Sequence, residues 1–267
     1  MINFENKPKY GVYDLEKLIA VLRAPGGCPW DAEQTHESLR RNMLEEAYEV
    51  VEAIDEGSVG HLCEELGDVL TQVVFHSGIE EDVGNFNLDD VADMVCRKLI
   101  LRHPHVFSNV TVAGTDDVLK NWDDIKRVEK GQKTVTDSME AVAKSLPSLW
   151  RAEKIQKKAA KVGFDWPEVW GAMDKLAEEL TEVSDAVSSE CGIEEELGDL
   201  LFSAVNVARF AGVDPEKALS KACDKFTARF AYVESEAAKQ GKLLSEMTLE
   251  EMDAIYEEGK RVLSADH

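Results

Sequence analysis

Basic residues are scarce. Thirty lysines and arginines stand against 53 aspartates and glutamates, a formal net charge of -23. That balance argues against duplex nucleic acid as a partner, because phosphate backbones are bound by basic patches. It leaves room for a phosphate ligand held through metal ions, and it favours solubility. Long apolar runs are missing too. None approaches the ~20 residues that a membrane span needs, although 44% hydrophobic residues supply material for cores. Met1 to Tyr10 is polar and has no apolar signal core. A cytoplasmic protein without a membrane partner is expected. Cysteine is sparse: Cys28, Cys63, Cys96, Cys191 and Cys223 are odd in number and form no Cys-x-x-Cys pair. A disulfide framework or structural zinc is therefore unexpected, and reduced, mostly buried thiols fit better. Five of the six histidines precede residue 106, and none sits in a metalloprotease motif. Alternating β patterns are few, so the fold class is all-α.

What is present is helical periodicity. The spacing predicts helices over 14–22, 39–54, 61–76, 88–102 and 115–130, the last capped by Asp116. In the second, Leu44, Ala47, Tyr48, Val51 and Ile54 recur at helical spacing; in the third, Leu62, Leu66, Val69 and Val73 do. A polar stretch follows without periodicity. The pattern restarts with helices over 149–161, 170–188, 193–210, 215–240 and 249–263. The 267 residues suit two domains: 1–130 and 141–267, joined by a linker over 131–140.

The halves repeat one another. Gly27-Cys28-Pro29-Trp30 answers Gly163-Phe164-Asp165-Trp166. Glu46 and Glu49 answer Glu179 and Glu182, and Glu65 and Asp68 answer Glu196 and Asp199. Lys98 and Arg102 match Lys225 and Arg229, and Trp122 and Lys126 match Tyr256 and Lys260. Order, spacing and residue type agree along both halves, which makes two tandem copies of one helical unit the firmest structural expectation.

Residues three apart share a helix face. Glu179 with Glu182, and Glu196 with Asp199, would converge if their helices pack antiparallel. Crowded carboxylates need protons or cations to coexist. Oxygen ligands without histidine or thiolate favour Mg²⁺ or Mn²⁺. Lys225 and Arg229 share a face, as do Tyr256 and Lys260; cations beside a carboxylate cage suit a polyphosphate, and the aromatic suits a base or ribose. Asn206 lies two turns beyond Asp199 and could bond to a sugar or base. Its first-half counterpart is Phe75, which singles out the second half as the main catalytic candidate. Each motif alone reads more readily as a solvated acidic or basic face, and only the repeated combination points to a site; Asn206 reads also as a satisfied core amide, and Trp30 and Trp166 more readily as core aromatics than as stacking residues. A di-iron bundle would show Glu-x-x-His on two helices, and no histidine occupies those positions. The remaining alternative is a non-catalytic, metal-stabilised helical interaction module.

These residues resemble the MazG family of nucleoside triphosphate pyrophosphohydrolases. The match rests on Gly27-Cys28-Pro29-Trp30-Asp31, Glu45-Glu46-x-x-Glu49, Glu64-Glu65-Leu66-Gly67-Asp68 and Arg102-His103-Pro104-His105-Val106-Phe107. In the second half it rests on Lys154-Ile155-Gln156-Lys157-Lys158, Val162-Gly163-Phe164-Asp165-Trp166 and both acidic motifs. The resemblance implies tandem all-α bundles whose four-helix cores are completed by homodimerisation. It implies hydrolysis of NTPs and dNTPs to the monophosphate and pyrophosphate with Mg²⁺, a nucleotide-pool housekeeping role, and a C-terminal active repeat. Carried over by motif, Glu179, Glu182, Glu196 and Asp199 hold the metal, with Glu46, Glu49, Glu65 and Asp68 their first-half equivalents. Lys225, Arg229, Tyr256 and Lys260 contact the nucleotide, with Lys175 and Glu178 nearby. Lys98, Arg102, Trp122 and Lys126 are the corresponding first-half contacts. Glu178 is the candidate proton acceptor for the attacking water. The chain departs from the family pattern at Tyr256, where Trp is common, and near Gly192, where a basic residue is usual.

Overall fold

The computed structural model describes residues 4–108 and 131–264, together with residues 114, 118, 122, 125, 126 and 129. Among them there are helices and no strand. The chain divides into two compact units, Met1–Lys126 and Arg127–His267. The helix expected over 115–130 lies almost wholly outside the described residues.

The first unit is built on a helical hairpin. Helix α1 spans Val12–Arg23 and α2 is one turn, Pro29–Ala32; α3 runs over the acidic stretch His36–Glu56, and α4 covers Val59–Asp82. The Thr35 side chain accepts the Ser38 N–H at the start of α3, a cap worth about 1 kcal/mol. Gly57 ends α3 in the left-handed region at φ 69°, and Ser58 caps α4 at once. So short a link forces the two helices antiparallel. α1 packs on α4, and α5, Leu88–Arg102, follows with the single turn α6, Pro104–Phe107. The core joins Ile19, Leu39, Val74, Phe75 and Leu88. Burying a side chain such as Leu39 contributes roughly 2 kcal/mol.

The second unit repeats this plan. The stretch expected as a linker carries a short helix, α7, Val135–Glu140, capped by Thr134 and Asp137. At six residues it is too short to show an apolar period. Helix α8, Ser148–Ala160, packs on α10, Ile193–Phe210, as α1 packs on α4. Helix α9, Val169–Ser189, forms the hairpin with α10, turning at Glu190 and Gly192, both in the left-handed region. Asp214 caps α11, Pro215–Lys239, and also accepts the Trp150 indole N–H at 2.9 Å, pinning the start of α11 to α8. A 3-10 turn, Leu244–Glu246, leads into α12, Leu249–Ser264. Val233, Ala237, Met247 and Ile255 form the core of the α11–α12 hairpin.

Two expectations need correction, those for the tryptophans and the thiols, and the apolar faces of the acidic hairpins are more open than their helical period alone would indicate. Leu44, Tyr48, Val51 and Ile54 form a helix but not a buried stripe: all four are exposed in this chain. The α9–α10 hairpin likewise exposes Leu180, Leu197 and Leu201. Two helices cover only one flank of each other, so the outer half of each apolar band stays open. Trp30 and Trp166 are exposed rather than core residues, although the Trp166 ring lies so close to Gly171 that a Cβ there would meet it at 2.3 Å. The five thiols are free, but only Cys28 is even half-buried.

Candidate active site

Helices α9 and α10 bring the second-half acids together because the hairpin is short and its helices are antiparallel. Glu196 lies in the first turn of α10 beside Glu194 and Glu195, where the helix N-terminus favours negative charge. Asp199 follows one turn later. One oxygen each from Glu179, Glu196 and Asp199 lies within 4.8 Å of the others. Glu179 is 4% exposed. Its Oε1 is 2.7 Å from the Lys175 ammonium, while its Oε2 is buried and has no hydrogen-bond partner. Lys175 also donates to Glu178 at 2.9 Å. Lys175 holds the Glu179 carboxyl below the usual range, against the pull of burial. Glu182 stays outside the converging triad; its bond to Glu179 pushes its own carboxyl up, with burial adding.

The first-half cluster forms on α3 and α4 from Glu46, Glu49 and Glu65. Here Asp68 is the acid left outside. Burial raises Glu46, and the charges of Asp68 and Glu49 add to it. Burial also raises Glu65, with Glu49 adding and His61 opposing. His61 bridges Glu65 at 3.0 Å and Glu56 at 2.9 Å.

The cations expected at the nucleotide lie on α11 and α12. The Arg229 guanidinium is 5.9 Å from the Tyr256 ring centre and the Lys260 ammonium 5.3 Å, the range of cation–π contact. Phe226 backs the Tyr256 ring at 5.8 Å. Lys260 also pairs with Glu257. Lys225, one turn before Arg229, is exposed. In the first unit Lys98 is half-buried on α5 and Arg102 ends that helix; the Trp122 ring lies 6.2 Å from His103, and Lys126 is exposed. Asn206 is buried in α10, and its side-chain oxygen accepts the Arg209 Nε–H at 2.9 Å.

An all-oxygen set with one buried, partnerless carboxylate oxygen fits a hard divalent cation. Residues 34–107 and 171–233 match the MazG nucleotide pyrophosphohydrolase domain. The match covers both acidic hairpins. The chain belongs to the MazG family. It is accordingly an enzyme, a hydrolase of that family. A nucleoside triphosphate pyrophosphohydrolase/pyrophosphatase MazG of Thermotoga maritima is 44% identical over 247 residues, spanning 92% of this chain and 94% of that protein. A nucleoside triphosphate pyrophosphohydrolase of Escherichia coli K12 is 41% identical over 255 residues, spanning 92% and 97%. The Bacillus subtilis protein YabN is 49% identical over 246 residues, 91% of this chain but 50% of its own length.

Within this MazG chain, two arrangements escaped the sequence reading. His61 lies four residues before Glu65, a spacing that marks a helical pair once Glu65 is suspected. Arg209 reaches Asp165 at 2.6 Å while donating to Asn206, tying α10 to the loop before α9. No local spacing signals that bond, because its partners are far apart in sequence.

Proposed function

We propose that the chain hydrolyses nucleoside triphosphates, ribo and deoxy, to the monophosphate and pyrophosphate, with Mg²⁺ (or Mn²⁺) held by the second-half acids. The observation that carries this reading is the meeting of Glu179, Glu196 and Asp199 around a buried carboxylate oxygen without a protein partner. Such a cation would offset charge on triphosphate oxygens and make a coordinated water more acidic. Glu182, exposed one turn beyond Glu179, would complete the ligand set as its fourth acid. Lys225, Arg229 and Lys260 hold the triphosphate and offset charge on the departing pyrophosphate. Tyr256 stacks on the base or ribose. Glu178, exposed beside the triad, accepts the proton of the attacking water. The related enzymes named above as nucleoside triphosphate pyrophosphohydrolases support the substrate class.

The working form is a homodimer in this reading. Apolar faces stay open on both acidic hairpins. Gly67 and Gly198 sit inside helices, where glycine costs about 1 kcal/mol, yet nothing among the described residues comes within 4 Å of where their Cβ would be. A second copy packed closely there explains both features.

The test is pyrophosphate release from a panel of NTPs and dNTPs with Mg²⁺, for wild type and for Glu179→Ala and Asp199→Ala. The expected result is release by wild type and loss in both variants. Full activity in the two variants removes the second-half site from contention.

A further inference from the structure

Lys175 makes a contact that substrate binding does not require. Its ammonium lies 2.7 Å from Glu179 and 2.9 Å from Glu178. Glu179 is the most buried acid of the triad, and Lys175 is about one-third exposed. The lysine thus reaches inward from the rim to a carboxylate that solvent barely touches. Its pairing uses one Glu179 oxygen and leaves the other partnerless. On the first-half helix the nearest paired cation, Arg41, meets Glu45 at 2.7 Å rather than an acid of the cluster. Aligning Glu46 with Glu179 puts neutral Asn42 where Lys175 stands.

We propose that Lys175 is an exchangeable internal counter-ion. In the empty site it neutralises Glu179 and keeps the triad from repelling itself apart. When a divalent cation enters, it takes over that charge balance, and the lysine swings from Glu179 toward the incoming triphosphate. Lys175 therefore competes with metal alone but cooperates with metal and nucleotide together. The inference rests on the second-half site being the metal and nucleotide site. Lys175 acts on the metal through Glu179 and is a positioning residue in that step.

The physical basis is ordinary electrostatics. An ammonium and a divalent cation a few ångströms apart on one carboxylate repel each other, and a partly buried pair screens poorly. A charge-assisted bond of this kind is worth enough to shift metal affinity about five- to tenfold. An NTP brings charge of opposite sign, so the same ammonium then helps binding.

The experiment measures Mn²⁺ binding to the full-length protein directly, by paramagnetic resonance or calorimetry, with the first-half cluster silenced by Glu46→Gln and Glu65→Gln. Folding of each variant is checked by its melting curve. In that background Lys175→Met is expected to bind Mn²⁺ about fivefold more tightly without nucleotide. It is expected to bind a non-hydrolysable NTP with Mn²⁺ about fivefold more weakly. Lys175→Arg should restore both towards wild type. Mn²⁺ affinity unchanged or weakened in Lys175→Met, while Glu179→Gln abolishes binding, overturns the counter-ion but spares the metal site. Mn²⁺ binding that survives Glu179→Gln overturns the site itself.

Discussion

The two acidic hairpins share a skeleton and differ in how they handle charge. In the second half the cation is on the same helix as the most buried acid: Lys175 one turn before Glu179 pulls that carboxyl down. In the first half Asn42 takes that place, and burial with neighbouring acids pushes Glu46 up. The available cation there is His61, across the hairpin on α4, and it pairs with Glu65. Aligning Glu65 with Glu196 sets His61 opposite Gly192. In each half, then, one basic group pairs with an acid of the converging triad, but from opposite helices, while Arg41 on α3 pairs with Glu45 beside the triad. A lysine stays charged at neutral pH, whereas a histidine does so only with help. Identical carboxylate spacing therefore need not give identical metal sites. The group that balances the empty cluster decides how much negative charge it presents.

The largest expected effect tests that asymmetry. Glu179→Ala and Asp199→Ala should each cut pyrophosphate release by about 100-fold or more, the scale of losing groups that stabilise developing charge. Glu46→Ala and Glu65→Ala should stay within about threefold of wild type, since they touch a cluster whose buried acid favours its proton. Equal losses in the two sets would break the comparison.

A smaller effect concerns the guanidiniums that brace each hairpin. In the second half Arg209 on α10 donates to Asn206 and Asp165 and lies 4.4 Å over the Phe210 ring. In the first half Gly78 occupies the matching place, and Arg23 from α1 extends over it to Asp82 at 2.6 Å. The job is the same, but the arginine comes from the other element. Asp82 is mostly exposed, whereas Asp165 and Asn206 are largely enclosed. Arg209→Ala should therefore destabilise by about 2–3 kcal/mol and Arg23→Ala by about 1 kcal/mol in denaturant melts. A reversed order would show that the exposed pair is the stronger brace.

How much of this could be read beforehand differs by kind of feature. Helix α5 and helix α10 begin and end at the residues where periodicity places them, because caps and breakers are local signals. The α3 stripe marks a helix correctly yet not its burial, because periodicity shows that a face is apolar and says nothing of what covers it. Spacing puts Glu179 and Glu182 on one face, but which oxygens meet depends on how two helices cross. Hence Glu182 falls outside one triad and Asp68 outside the other, although the motifs match. The Arg209–Asp165 brace was illegible for a different reason: no periodic rule joins a helix end to a preceding loop.

The smallest expected effect is acid sensitivity confined to the first half. His36 stacks on His76, their Nδ1 atoms 2.7 Å apart, and His36 Nε2 lies 2.5 Å from Glu80, which also accepts from Asn85. Burial, with His36 adding, lowers His76; the bonds from Asn85 and His36 lower Glu80. In the second half the matching positions are Val169, Val207 and Ala211, which do not titrate. A lowered folded pKa means that the unfolded chain binds more protons. The stability from His76 is thus present above its unfolded value, about 6.5, and is lost as pH falls through its folded value. Glu80 follows further down in pH. His61 works the other way: its pKa is raised, chiefly by Glu56, so its contribution is complete at low pH and fades as pH rises. In metal-free buffer, then, His76→Val should lessen the fall in melting temperature between pH 7 and about 5. His61→Ala should deepen that fall. A His76→Val curve parallel to wild type would mean that the stacked imidazoles carry no linked proton, and that the halves differ at their acidic clusters alone.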